Sequence, residues 1–289
     1  MASGRAESIR LKGKNTLKRK KKNSKKRFSF KKHILLPLFL MSLLYGVWHY
    51  RYVLFYIAFQ QIENKESIKV SSVTNQFRIF DVLQHHQKNT FGIDVSHYQG
   101  KINWNDVQKV QDSFPISFVF VRATAGSVKV DRRFATNWLQ SKEKGFIRGA
   151  YHYYRPNENS ILQANNFINS VSLQKGDLPP VLDIEDVPRV QSIENLKIGL
   201  RKWLNKIEDH YGMKPIIYSG ESFYNTHLYK DFSDYTFWIA NYNFYVENID
   251  EDWSFWQFTD KGSVQGVKEF VDVNIYNGDK KKLLQLVKK

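Results

Sequence analysis

The chain has no cysteine among its 289 residues, which excludes disulfides, thiolate metal sites and a cysteine nucleophile. A chain of this length can build its core without staples, so the absence says little about compartment. Acidic residues are almost missing from one region: residues 1–33 hold 14 Lys or Arg against a single acid, Glu7. Net charge is missing from the rest. Of the formal +16, the remaining residues account for only 30 basic against 27 acidic groups. The body therefore lacks the basic excess of a nucleic-acid binder, and no nucleic-acid partner is expected. Long apolar runs are scarce as well, with one exception near the N-terminus.

That exception is ILLPLFLMSLLYGVWHY, residues 34–50, followed by Arg51 and by YVLFYIAF through Phe59. The basic run before it is expected to be disordered by self-repulsion. With Arg51 snorkelling or paired, residues 34–59 are long enough for a single transmembrane helix, and Tyr45, Trp48, Tyr50 and Tyr52 would form its aromatic belt. The positive-inside rule places residues 1–33 in the cytoplasm and the body on the extracytoplasmic side, with membrane lipid as a partner of tail and helix. No A-x-A site follows, which argues against a cleaved signal peptide. Residues 60–90 read as a polar stalk with a short amphipathic helix near Phe77–Leu83 that docks on the body. His85 and His86 are adjacent, so they do not share a helical face, and a solvated pair is expected there.

Residues 91–289 alternate short apolar runs with helix-like segments. The strand candidates are 91–96, 116–124, 147–154, 179–185, 214–220, 236–242, 255–259 and 270–276. Between them NWNDVQKVQD, FATNWLQSKEKG, SILQANNFINSVSLQKG and SIENLKIGLRKWLNKIEDHYG look amphipathic, and glycine follows helix candidates at 145, 176 and 212. Such alternation argues for an α/β fold with a parallel sheet, either a barrel or a doubly wound sheet. The last three strands leave little room for helices, so an irregular or antiparallel ending is expected. Polar residues gather at strand C-termini, among them Asp94, Asp183, Glu185, Gln257, Asp272 and Asn274. In a barrel those ends open on one face.

The stretch VLDIEDVP, residues 181–188, ends an apolar run with Asp183 and Glu185 two positions apart. In a strand both side chains leave the same face, with Cα atoms about 6.6 Å apart. Two carboxylates so close push one proton affinity upward, which an acid catalyst can use. One such acid alone reads as a turn residue; four near the ends of three apolar strands need partners or a task.

GIDVSHYQG at 92–100 with INW at 102–104, AYHYY at 150–154, PPVLDIE at 179–185, WIANY at 238–242, WQF at 256–258 and GVKEFVDVN at 266–274 together resemble glycoside hydrolase family 25 lysozymes. The resemblance covers roughly residues 91–280. It implies an irregular, TIM-like (β/α) barrel of about eight strands with fewer helices, and hydrolysis of the β-1,4 bond after N-acetylmuramic acid in peptidoglycan glycan strands. It also implies Glu185 as general acid, Asp183 as its partner carboxylate, and Asp94 and Asp272 as further acids lining the cleft. Asp183 would stay ionised while Glu185 holds the proton, either offsetting positive charge at the sugar ring or holding the 2-acetamido group as its oxygen attacks. The i, i+2 spacing fits retention or inversion, and acetamido-assisted retention is the favoured reading. Tyr98, Tyr151, Tyr153, Tyr218, Trp238 and Tyr242 could stack on sugars or hydrogen-bond to them; Tyr218 and Trp238 are favoured by their strand-end positions. No metal or cofactor is required, and a monomer is expected. One departure is ATAG at 123–126, where family members often read ATEG, so Ala125 removes a carboxylate.

Two other readings compete. A chitinase-like enzyme would need acids at positions 178 and 181, where the chain has Leu178 and Val181. A membrane-tethered wall-binding module without catalysis would have no need of all four acids.

Overall fold

The computed structural model describes residues 35–51, 54, 73–243, 249 and 253–289, and the chain divides into two units, 1–62 and 63–289. In the first unit, helix α1 (Leu36–His49) has a proline in its opening turn, where the missing N–H costs nothing. None of its residues is buried, although nearly all are apolar. It has 14 residues, and among the described residues no helix is long and apolar enough to cross a membrane. Positions 34, 52, 53 and 55–59 of the expected span, like the basic tail and positions 60–72 of the expected stalk, lie outside the described residues.

The second unit begins its described part with helix α2 (Val73–His85). Ile79, Phe80, Val82 and Leu83 are buried, and Arg78 donates from Nη1 to the Phe258 carbonyl at 2.5 Å and from Nη2 to that of Asn243 at 2.8 Å. The His86 ring packs edge-on against Trp256.

Ten strands follow: β1 (Thr90–Val95), β2 (Lys109–Val110), β3 (Phe114–Ala125), β4 (Lys129–Val130), β5 (Ile147–Tyr153), β6 (Val181–Asp183), β7 (Ile216–Gly220), β8 (Thr236–Ala240), β9 (Phe255–Gly262) and β10 (Val271–Tyr276). Their order closes on itself: β1 pairs with both β3 and β10, so eight strands form a barrel, with β2 and β4 attached to β3. The eight strand runs expected from the sequence are those eight. Among the eight barrel strands all neighbours are parallel except around β10, which runs antiparallel to β9 and to β1; β2 and β4 are each antiparallel to β3. The expectation of an antiparallel ending thus holds for the last strand, whereas β9 is parallel to β8.

Three helices cover the outside: α3 (Phe134–Glu143), α4 (Ser160–Ser170) and α5 (Ile193–Tyr211). Asn159 caps α4 by accepting from Ile161 and Leu162 N–H, and Ser192 caps α5 by accepting from Asn195 N–H. Gly212 ends α5 in the left-handed conformation expected of it, at φ +66°. Helix α4 does not reach 176; it stops at Ser170, and Gly176 serves a later turn.

The segment 103–112 is not a helix. Asn103 turns the chain by bonding its side chain to Asp106 at 2.6 Å, and Lys109 and Val110 form β2 against Pro115 and Phe114. Trp104, Val107 and Val110 are all buried, which produced the misleading helical spacing. A side chain that bonds its own backbone neighbourhood competes with helix formation.

The barrel interior is aromatic. Phe120 stacks on Trp238 with centroids 4.6 Å apart, and Phe118 meets Phe255 edge-on. Each such buried ring contributes about 1.5–3 kcal/mol. Gly149 makes room for this filling, since a Cβ there would lie 2.4 Å from the Phe120 ring.

Candidate active site

At the C-terminal end of the parallel strands the barrel opens into a groove of about 380 Å³. Asp94 reaches it from the end of β1, Asp183 from the last position of β6, and Glu185 from two residues beyond. The chain keeps an extended path between the two acids. Ile184 N–H donates to the Tyr218 carbonyl at 3.0 Å and its own carbonyl accepts from Ser219 Oγ at 2.6 Å, while the Ile184 side chain is fully buried. Asp183 and Glu185 therefore face the groove together, as their spacing predicts.

Asp272 arrives by a different route from the one expected. It lies near the start of β10, not at a strand's C-terminus. Because β10 is reversed, its start is at the same barrel end, and Asp272 pairs directly with Asp94 across the ladder. Tyr98, Tyr151, Tyr153, Tyr218, Trp238 and Tyr242 also line the groove, so the four acids and six aromatics singled out from the sequence meet in one place.

A hydrogen-bonded web holds Asp94. Its Oδ2 accepts from Gln257 Nε2 at 2.7 Å and from Asn274 Nδ2 at 2.8 Å. Gln257 Oε1 in turn accepts from the hydroxyls of Tyr218, at 2.6 Å, and Tyr242. Asn274 Oδ1 accepts from Trp238 Nε1 at 2.9 Å. Tyr218 and Trp238, favoured as sugar platforms, are instead buried with their polar atoms engaged in this web. The most exposed aromatic on the groove is Tyr98, a residue 71% accessible against 46% for Tyr242; its ring stacks on His97 at 4.4 Å and lies 4.9 Å from the Arg122 guanidinium. Arg122 is itself held by Asp131, Nε to Oδ2 at 3.0 Å.

Gln257 and Asn274, named from the sequence only as polar strand-end residues, turn out to hold Asp94, a role the sequence reading did not give them. Both were visible as polar residues in apolar strands, and the available signal was that an uncharged amide inside a sheet needs a partner.

Burial raises every acid of the groove. Asp94 is pushed up to about 6 by loss of water, against the pull of its two amide donors. Asp272 is pushed up to about 9, first by burial and then by the charge of Asp94. Asp183 rises well above the carboxylate range through burial and the neighbouring Glu185. Glu185 stands at the open side of the groove, yet the surrounding protein withdraws enough water to raise it too, opposed by its hydrogen bond with Asp183. That bond requires one of the two carboxyls to hold a proton. Burial and the charge of Glu185 beside it both favour the protonated form of Asp183. Asp183 Oδ1 is buried without a hydrogen-bond partner among the described residues.

Such a groove can deliver a proton to a bound ether oxygen and stabilise positive charge beside it. Among the described residues no group of three or more His, Cys, Asp or Glu is arranged to hold a metal ion.

Known proteins resemble this chain in sequence and in fold. Residues 93–267 match the family described as Glycosyl hydrolases family 25. The chain is 41% identical over 200 residues to Uncharacterized protein YegX of Escherichia coli K12, covering 68% of this chain and 72% of that one. It is 35% identical over 210 residues to Lysozyme M1 of Streptomyces globisporus, covering 68% and 70%. The crystal structure of the bacterial lysozyme from Streptomyces coelicolor superposes with a TM-score of 0.62 at 32% identity, over 68% of this chain and 96% of that one. The chain belongs to glycosyl hydrolase family 25 and is a glycoside hydrolase of the muramidase type.

Proposed function

We propose that the groove cleaves the β-1,4 bond between N-acetylmuramic acid and N-acetylglucosamine in peptidoglycan, with Glu185 as general acid and Asp183 acting through the substrate's acetamido group. The observation that carries this reading is the buried Asp183 Oδ1, which the protein leaves without a partner beside Glu185. A buried acceptor left open is costly unless something else fills it. The acetamido N–H of the bound sugar donates to it. Accepting that bond favours ionised Asp183 and passes the shared proton to Glu185. Glu185 then protonates the leaving glycosidic oxygen as the acetamido carbonyl oxygen attacks C1, closing an oxazolinium ring. Water, deprotonated by Glu185, opens the ring with net retention. Asp94, ionised above about pH 6, lines the same groove and adds negative potential near the developing positive charge, while Asp272 beside it holds its proton. The scheme uses one chain and no cofactor.

The test is a digest of purified peptidoglycan by the full-length protein, analysed by mass spectrometry and by NMR of the fresh product. New reducing ends on N-acetylmuramic acid in the β configuration are expected. Ends on N-acetylglucosamine would indicate a glucosaminidase, an α-anomer would refute acetamido assistance, and no turnover would favour a wall-binding module.

The same reading places the enzyme on a membrane, with residues 1–33 cytoplasmic and the barrel on the wall side. The supporting features are the basic run, the adjoining apolar run 34–59, and a helix α1 that buries none of its apolar side chains. Alkaline carbonate washing should leave the full-length protein in the membrane pellet; release to the supernatant refutes the anchor.

A further inference from the structure

We infer that Lys129, supported by Arg155, forms an anion subsite in the groove that binds a carboxylate carried by the muramic acid's lactyl arm. The inference rests on the muramidase reading and adds to it which part of the substrate this wall recognises.

The β3–β4 hairpin places Ala125 directly opposite Lys129 in an antiparallel ladder. Directly paired residues project on the same face of a sheet, and both line the groove. A carboxylate at 125 would lie across from the ammonium and neutralise it; the alanine methyl cannot. Among the described residues Lys129 has no carboxylate partner. The other cations of the groove are committed to different extents. Arg122 bonds Asp131, with the carboxylate almost fully buried. Arg155 gives only Nη1 to Glu158, at 3.1 Å, and its guanidinium remains half-exposed. Glu158 is further occupied by the N–H of Ser127, at 2.6 Å, and by its hydroxyl, at 2.7 Å, so it is fixed beneath the hairpin and not free to answer Lys129.

The groove is therefore polarised. Asp94, Asp183, Glu185 and Asp272 crowd one side, and uncompensated positive charge stands on the β3–β5 side. A neutral sugar gains nothing from such a wall. A sugar with an acidic arm, laid so that its acetamido group meets Asp183, is oriented by both walls at once. The acid has two sources: the lactyl carboxylate itself in strands stripped of peptide, or the acidic residues of a stem peptide amide-linked to it.

The test compares full-length wild type with Lys129→Ala, Lys129→Arg and Ala125→Glu on peptide-free and on peptide-bearing glycan strands. Lys129→Ala should raise KM about fivefold with kcat unchanged, as expected for losing one partly exposed charge pair. Ala125→Glu should do the same by neutralising Lys129 from across the ladder, and Lys129→Arg should keep the wild-type value. Raising ionic strength should raise KM for wild type and not for Lys129→Ala. A rise confined to peptide-free strands assigns the lactyl carboxylate; one confined to peptide-bearing strands assigns the stem peptide. KM within twofold of wild type on both substrates, or Ala125→Glu without effect, overturns the subsite. Binding of the same strands, read by tryptophan fluorescence, separates this result from the parent reading. If wild type binds strands with a Lys129-dependent salt response but never cleaves them, the muramidase reading fails and the subsite stands.

Discussion

The two ends of the barrel treat buried charge in opposite ways. At the N-terminal end Asp177 and Arg148 are both about 97% shielded, with side-chain exposures of 3%. They form a two-pronged pair, Nε to Oδ1 at 2.8 Å and Nη2 to Oδ2 at 3.1 Å. Gln174 N–H also donates to the carboxylate, and the guanidinium lies 3.7 Å from the centre of the Trp138 ring. At the C-terminal end four carboxyls share one groove with no cation bonded to any of them among the described residues. The fold completes a buried pair even beside the groove, Arg122 with Asp131, so leaving the four catalytic-end acids without a cation sacrifices stability for reactivity.

That contrast can be broken from either end. Asp177→Ala strands the Arg148 charge in the interior and should cost about 3–5 kcal/mol, visible as a large fall in melting temperature. A loss below about 1 kcal/mol would mean the pair is not the support it looks to be. Glu185→Gln should leave the melting temperature near wild type and lower kcat by about 100-fold or more. An active Glu185→Gln protein would remove the general acid from the scheme. The smallest effect sharpens the comparison. Because burial raises the Asp272 carboxyl to about 9, the native protein keeps a proton that the unfolded chain releases above about pH 4. The stability held this way is complete below that pH and drains away as pH climbs toward 9. Asp272→Asn should therefore raise the melting temperature by about 3–5 °C at pH 8 and change little at pH 4. Equal shifts at both pH values would show that the carboxyl is not perturbed.

Much of this end of the barrel was legible in the sequence. The eight strands announced themselves as short apolar runs rich in β-branched and aromatic residues, and Asp183 and Glu185 by their two-residue spacing. What stayed hidden depends on tertiary context. Nothing in FVDVNIY says which way the strand runs, yet its reversal is what brings Asp272 opposite Asp94. Gln257 and Asn274 stood out only as uncharged polar residues at strand ends, and nothing in the sequence says that the partner they bond is Asp94. Tyr218 and Trp238 looked like platforms because position along a strand does not report the depth of a ring. In NWNDVQKVQD a local Asn103 turn prevailed over a helical spacing of apolar residues.

The reversed last strand also bears on how the enzyme comes into being. Thr90 is laddered to Tyr276, so the first barrel strand waits for the last before both of its edges are satisfied. Contacts of such sequence separation form late. A nascent chain emerging from the ribosome, or a fragment truncated before residue 271, has neither Asp272 nor a closed ring of strands. Hydrolytic capacity therefore waits on residues 271–276, which must be made and docked before the ring of strands and its cluster of acids are complete.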